Sequence, residues 1–170
     1  MTELTQQQVR KLLDYDPVTG KVTHLVNRPP FGLAGEPAGW VNSRGYFRVS
    51  IEGLDLPGHK VIWLWMTGTY PVGDIDHEDR NRSNNKWDNL RLATRSQNLT
   101  NQGKKPNNRS GFKGVSSRGN SHTARVRIGG KPKIIGSFPS AKEAATAYDI
   151  AAVASYGEFA VTNLSLGLLP

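Results

Sequence analysis

The chain has no cysteine among its 170 residues, so disulfide staples and thiolate-held zinc are both excluded. It has no long apolar run. The longest, Val61-Ile62-Trp63-Leu64-Trp65-Met66, is far too short to span a bilayer. The opening Met1-Thr2-Glu3-Leu4-Thr5-Gln6 lacks the charged and apolar regions of a secretory leader. These absences predict an intracellular, cytoplasmic protein with no membrane partner. Acidic residues are missing from one long stretch, with no Asp or Glu between Asn89 and Lys142.

What is present is positive charge, unevenly placed. The net charge is +8, and residues 104–170 carry ten bases against three acids, whereas residues 1–55 carry six of each. A basic block of this kind predicts a polyanionic partner, most simply nucleic acid. The alternative is a basic face that is merely solvated.

Local patterns place the elements. Residues 5–13 read as a short helix, with Thr5 and Gln8 as its capping box and Val9, Leu12 and Leu13 as its apolar stripe. Strands are predicted over residues 21–26 and 45–51, so that residues 1–55 form a small α/β cap in which no chemistry is visible. Residues 59–67 read as a buried helix stopped by Gly68 and Pro71, with Trp63 and Trp65 as core. A strand over 74–76, a polar loop, a strand over 90–93 and a helix capped by Thr94 and Gln97 follow, with Gly103 ending that helix. Residues 104–111 are basic and rich in Pro and Asn, a natural linker. Three strands are predicted beyond it, over 113–118, 122–128 and 133–138, the last two joined by Gly129-Gly130. Ser140 and Glu143 open an Ala-rich helix that Gly157 ends.

The chemistry concentrates in Asp76-His77 at the head of the polar loop, followed by Asn89 and by an Asn early in the next helix. A carboxylate and an amide oxygen suit a hard divalent ion, and a neutral imidazole can take a proton from water. Adjacent strand residues face opposite ways, so Asp76 and His77 cannot both line one site from a regular strand.

Residues 56–103 resemble the phage-type HNH endonuclease motif, with Asp76-His77, Asn89 and Asn98 as its three elements. The resemblance implies a ββα-metal nuclease module. In it His77 is the general base, Asp76 and Asn98 hold one Mg²⁺ or Mn²⁺ ion, and Asn89 pins the polar loop. It places Asp76 and His77 at the strand end, where the chain twists into the loop. His59 reads as packing support with a phosphate contact possible, and Arg80, Arg82 and Lys86 as phosphate contacts or solvated charge.

Residues 110–165 resemble the ethylene-response-factor type DNA-binding domain of the APETALA family. The matching residues are Gly114-Val115, residues 124–128, Gly136-Ser137-Phe138, residues 141–145, Ala147-Tyr148-Asp149 and Asn163-Leu164. Alternation puts Thr123, Arg125 and Arg127 on one face of a strand and Ala124, Val126 and Ile128 on the other, against the helix. By resemblance Lys113, Arg118, Lys131 and Lys133 flank the basic face.

The expected fold class is α+β: an N-terminal cap over 1–55, a ββα-metal nuclease module over 56–103, a linker over 104–111, and a three-stranded antiparallel sheet on one helix over 112–165. The expected function is metal-dependent nicking of double-stranded DNA by a monomer of the homing type, with no obligatory protein partner. Two rival readings are a DNA-binding regulator with an inactive HNH-like module and an RNA-directed protein. The intact Asp76, His77 and Asn98 disfavour the first. The lack of exposed aromatics on the C-terminal sheet disfavours the second.

Overall fold

Thr5 starts the first helix in the computed structural model, which describes residues 4–170. Its hydroxyl accepts from the Gln8 N–H at 3.2 Å, and the Gln8 side-chain oxygen accepts from the Thr5 N–H at 2.8 Å. This capping box opens α1, Gln6–Leu12. Leu13 leaves the helix expected to contain it and begins β1, Leu13–Tyr15, antiparallel to β2, Val22–His24. The strand period explains the change: it buries Leu13 and Tyr15 together, with Asp14 exposed between them.

A three-stranded antiparallel sheet follows, in the order β3 (Trp40–Val41), β4 (Phe47–Ile51) and β5 (Leu54–Pro57). Glu52 and Gly53 turn β4 into β5 with both φ angles positive, the backbone of a two-residue hairpin. Residue 55 therefore lies inside a strand. α2, Gly58–Thr67, ends on Gly68 in the left-handed conformation, with its N–H on the Leu64 carbonyl. β6 (Asp74–His77) pairs with β7 (Leu90–Ala93).

The chain divides into two units, Met1–Leu92 and Ala93–Pro170. In the first, one core joins Val9 of α1, Leu13, Tyr15 and Val22 of the β1–β2 hairpin and Val49 and Ile51 of β4. Val61, Ile62 and Leu64 of α2, Ile75 of β6 and Leu90 of β7 complete it. Residues from the N-terminal third and from the nuclease-like stretch are thus buried against one another. Trp63 and Trp65 pack on this core as expected. The Trp65 indole N–H donates to the Leu13 carbonyl at 3.1 Å.

The second unit begins with α3, Arg95–Thr100, whose Thr94–Gln97 capping box is present. The helix stops at Thr100, capped by Asn101, rather than running to Gly103. β8 (Val115–Arg118), β9 (Ser121–Ile128) and β10 (Lys131–Phe138) form an antiparallel sheet with β9 central. α4, Ala141–Tyr156, packs on that sheet. Ala124, Val126, Ala144, Ala145, Tyr148 and Ala152 make the seam between sheet and helix, and Ala faces allow the close approach. Ile128, expected on that face, is 44% exposed at the hairpin end. Gly114 holds a positive φ directly under Tyr148, where any Cβ would overlap the ring. Among the described residues no helix is long and apolar enough to cross a membrane.

Asn163 ties the second unit together and is fully buried. Its side-chain oxygen accepts from the Lys113 N–H at 2.7 Å, and its amide nitrogen donates to the Lys113 carbonyl and to Asp149. The Asp149 carboxylate also accepts from the backbone N–H groups of Asn163 and Leu164. Replacing Asn163 with Ala strands several of these groups, each costing about 1–3 kcal/mol. Asn163→Ala should therefore lower the unfolding free energy by roughly 2–4 kcal/mol in urea titration. A loss below about 0.5 kcal/mol, the size of an ordinary surface change, would show the network to be dispensable.

Candidate functional site

The polar loop after β6 is built around Asn89, which sits in a 3₁₀ turn, Trp87–Asn89. Its side-chain oxygen accepts from the Asp79 N–H at 2.9 Å. Its amide nitrogen donates to the Asn84 carbonyl at 2.7 Å and to the Asp79 carboxylate at 3.0 Å. Its backbone carbonyl accepts from the Glu78 N–H. One buried amide thus ties the start of the loop to its end. Asp79 completes the knot by accepting from the Asn81 N–H and the Asn84 amide. Burial alone would raise the Asp79 pKa, but these hydrogen bonds outweigh it and hold the carboxyl below its ordinary range.

Asp76 and His77 close β6, 4% and 5% exposed. They find partners in different directions. The Asp76 carboxylate accepts from Arg91 Nε of β7 at 3.1 Å, an ion pair shielded on both sides. Arg91 also reaches toward the exposed Glu78 at 3.8 Å. The His77 ring sits 3.2 Å, Nε2 to Oδ1, from the side chain of Asn85. Burial lowers the His77 pKa, although the Asn85 hydrogen bond and the Asp79 and Asp76 charges act the other way. The imidazole is therefore neutral at neutral pH. Asn85 was not among the residues that sequence reasoning selected. Its place in a run of polar loop residues carries no signal of its partner.

His59 of α2 stacks edge-on against His77, with ring centroids 5.5 Å apart, and lies 6.1 Å from the Tyr46 ring. Its Nδ1 is buried without a hydrogen-bond partner. Arg82 stacks on Tyr46 at 4.7 Å and donates to the Arg44 carbonyl, while Arg80 and Lys86 are exposed on the same loop. Asn98 lies in α3 of the second unit, partly exposed, with its N–H on the Thr94 carbonyl. Among the described residues no group of three or more His, Cys, Asp or Glu side chains is placed to hold a metal.

On the second unit's sheet, Arg125 and Arg127 are exposed on one face of β9, donating to the Ser116 hydroxyl and the Gly130 carbonyl. Thr123 is half-buried against Ser137. Arg118, Lys131 and Lys133 are exposed, but Lys113 reaches back to the Thr100 carbonyl at 2.6 Å.

Burial, then the neighbouring His77, Lys60 and Arg48, push the His59 pKa down to about 4. The unfolded chain, with an ordinary pKa near 6.5, takes up this proton first as pH falls. The His59 contribution to stability is therefore complete above pH 6.5 and disappears progressively down to about pH 4. Urea midpoints should fall between pH 7.5 and pH 5 by the equivalent of about 1–2 kcal/mol or more, and His59→Gln should reduce that fall, what remains belonging to the likewise depressed His77. An undiminished fall in the variant would place the acid sensitivity elsewhere.

Residues 58–100 match the family model described as HNH endonuclease. A protein of Acanthamoeba polyphaga mimivirus, named as an uncharacterised HNH endonuclease, is 34% identical over 126 residues. The aligned stretch covers 73% of this chain and 66% of that relative, just under two thirds of its length. No solved structure matches. Both matches support a nuclease, and residues 58–100 are similar to the HNH endonuclease family.

Proposed function

We propose that the protein is a metal-dependent DNA endonuclease that nicks duplex DNA. The observation that carries this reading is that the family match over 58–100 encloses Asp76, His77, Asn89 and Asn98. The structure supplies the physical support. His77 is a buried, neutral imidazole, and the loop beside it is cross-braced by Asn89.

The donor set suits a hard cation. Asp76 offers a carboxylate and Asn98 an amide oxygen, and magnesium or manganese bound by few protein oxygens retains waters and takes substrate phosphate oxygens. Such an ion, when bound, supplies polarisation of the scissile phosphate and neutralisation of charge on the departing 3′ oxygen. His77 accepts the proton of the attacking water, and its neutral state leaves it able to do so. Arg91 holds the Asp76 carboxylate in place through the 3.1 Å ion pair. Asn89 keeps the loop folded around both groups.

The three-stranded sheet on α4 resembles the ethylene-response-factor type DNA-binding domain. In this reading its Arg125–Arg127 face docks in the major groove, which admits a β-ribbon. Arg118, Lys131 and Lys133 supply phosphate contacts beside it. A monomer with one such site cuts one strand per engagement, consistent with a homing-type nicking enzyme acting on intracellular DNA.

His77→Ala should slow magnesium-dependent nicking of supercoiled plasmid by about 10²–10⁴-fold with duplex affinity nearly unchanged. Asp76→Asn, which keeps an oxygen for Arg91 but removes the charge, should raise the magnesium concentration needed for half-maximal rate. Asn98→Ala should do so less. Normal cutting by Asp76→Asn at low magnesium would place the metal elsewhere.

Duplex binding should weaken steeply with salt, by about 0.9 in log–log slope for each phosphate neutralised. Replacing Arg125 and Arg127 together should cost more affinity than replacing Lys104 and Lys105. The arginines stand on a rigid strand and can reach base edges, worth roughly 1–3 kcal/mol each, whereas linker lysines offer screened charge. Fluorescence anisotropy across a salt series measures both. Dominance of the linker lysines would remove the sheet from its role as the reading surface.

A further inference from the structure

Asn85 is 3% exposed, and its two side-chain ends face different partners. Its Nδ2 donates to the Ser83 carbonyl at 3.1 Å, and its Oδ1 lies 3.2 Å from His77 Nε2. The first contact fixes the orientation of the second. A carbonyl oxygen accepts only, so the amide atom facing Ser83 has to be nitrogen, and the atom facing the imidazole has to be oxygen. An amide oxygen cannot donate. The hydrogen between Asn85 and His77 therefore belongs to His77 Nε2, and the lone pair of the neutral ring belongs to Nδ1.

Asn85 is held by the β1–β2 hairpin. The Tyr15 hydroxyl, buried in β1, donates to the Asn85 backbone carbonyl at 2.7 Å. Tyr15 is fixed in turn by the edge of Trp65, 5.7 Å away between ring centroids. The Trp87 N–H donates to the Pro17 carbonyl at 3.0 Å. Gly20, with φ near +75°, presses so closely on the peptide between Asn85 and Lys86 that a Cβ would come within 2.7 Å of the Lys86 nitrogen. Three contacts from residues 15–20 thus grip residues 85–87.

We infer that Asn85, clamped by Tyr15 and the β1–β2 hairpin, is a positioning residue that holds His77 in its Nε2–H tautomer and leaves Nδ1 as the proton-accepting nitrogen. This assigns the N-terminal third of the chain a part in mounting the catalytic base. The catalytic consequence rests on the reading of His77 as that base, whereas the tautomer does not. A base in the wrong tautomer, or one free to exchange between the two, offers its lone pair only part of the time.

The test uses full-length, ¹⁵N-labelled protein without metal at pH 7.5, with His77 signals assigned by their loss in His77→Ala. Long-range ¹H–¹⁵N spectra should show His77 protonated at Nε2 alone. Asn85→Leu should give a mixed tautomer and a roughly 10–100-fold fall in kcat for plasmid nicking with magnesium chloride, with KM changed little. Asn85→Asp, which keeps an acceptor oxygen for Nε2 but gives up the donor to Ser83, should retain more of the Nε2–H signature and of the rate than Asn85→Leu. Tyr15→Phe should shift both readouts the same way by less, and decides the matter if Asn85→Leu does not fold.

A wild-type His77 protonated at Nδ1 would overturn the inference, as would an Asn85→Leu spectrum that keeps a single Nε2–H form. So would a mixed tautomer with undiminished kcat while His77→Ala is inactive. Where Tyr15→Phe has to decide, unchanged spectra and kcat would overturn it. If His77→Ala cuts at the wild-type rate, the base assignment fails by itself, and the spectra still decide whether Asn85 sets the tautomer.

Discussion

Burying a carboxylate and an imidazole next to each other at the end of a short strand is the constraint on which the first unit depends. An isolated buried charge is costly, and a buried ring nitrogen without a partner costs less but still counts. β7 meets the first need by placing Arg91 against Asp76, with the guanidinium itself shielded from water. The polar loop meets the second by bringing Asn85 to His77, and α2 covers the ring with the edge of His59. Hydrophobic burial holds these parts together. Val61, Ile62 and Leu64 of α2 and Ile75 of β6 share their core with Val9, Leu13 and Tyr15. The chemistry-bearing stretch therefore does not support itself. Its apolar faces are covered by residues far upstream in sequence.

The second unit solves a different problem with a similar device. Its helix packs through alanines, so sheet and helix come close but gain little area per residue, and buried polar anchoring carries more of the specificity. Asn163 and Asp149 bind the C-terminal turn to the start of the sheet at Lys113. With its apolar face covered by α4, the sheet leaves Arg125 and Arg127 outward on β9. The fixed alternation of a strand produces both results at once. A one-residue slip would bury the arginines and expose Ala124 and Val126.

Most elements were legible because their signals are local. Thr5–Gln8, Thr94–Gln97 and the Gly129-Gly130 turn are read within four residues, and each appears where the pattern predicts it. The failures are of two kinds. Leu13, Leu54 and Leu56 lie in short strands whose existence depends on a partner strand, so their own few residues carry too little periodicity to reveal them. The local pattern ends α3 at Gly103, but Asn101 caps it two residues earlier, since helix ends depend on which carbonyls the fold leaves to be satisfied.

The residue types that the proposed hydrolysis calls on were determined by the sequence alone: a carboxylate beside an imidazole, amides downstream of them, and a basic tail without thiols. Their identities limit the available chemistry whatever the fold. Only the tertiary structure decided which neighbour each acquires. The pairing of Asp76 with Arg91, the edge contact of His59 on His77, and the Tyr15–Asn85–His77 chain join residues 8 to 70 positions apart, across strands and loops whose register must first be set. Hydrogen bonds act over about 3 Å, and that proximity exists only after the shared apolar core has brought the N-terminal hairpin against the loop.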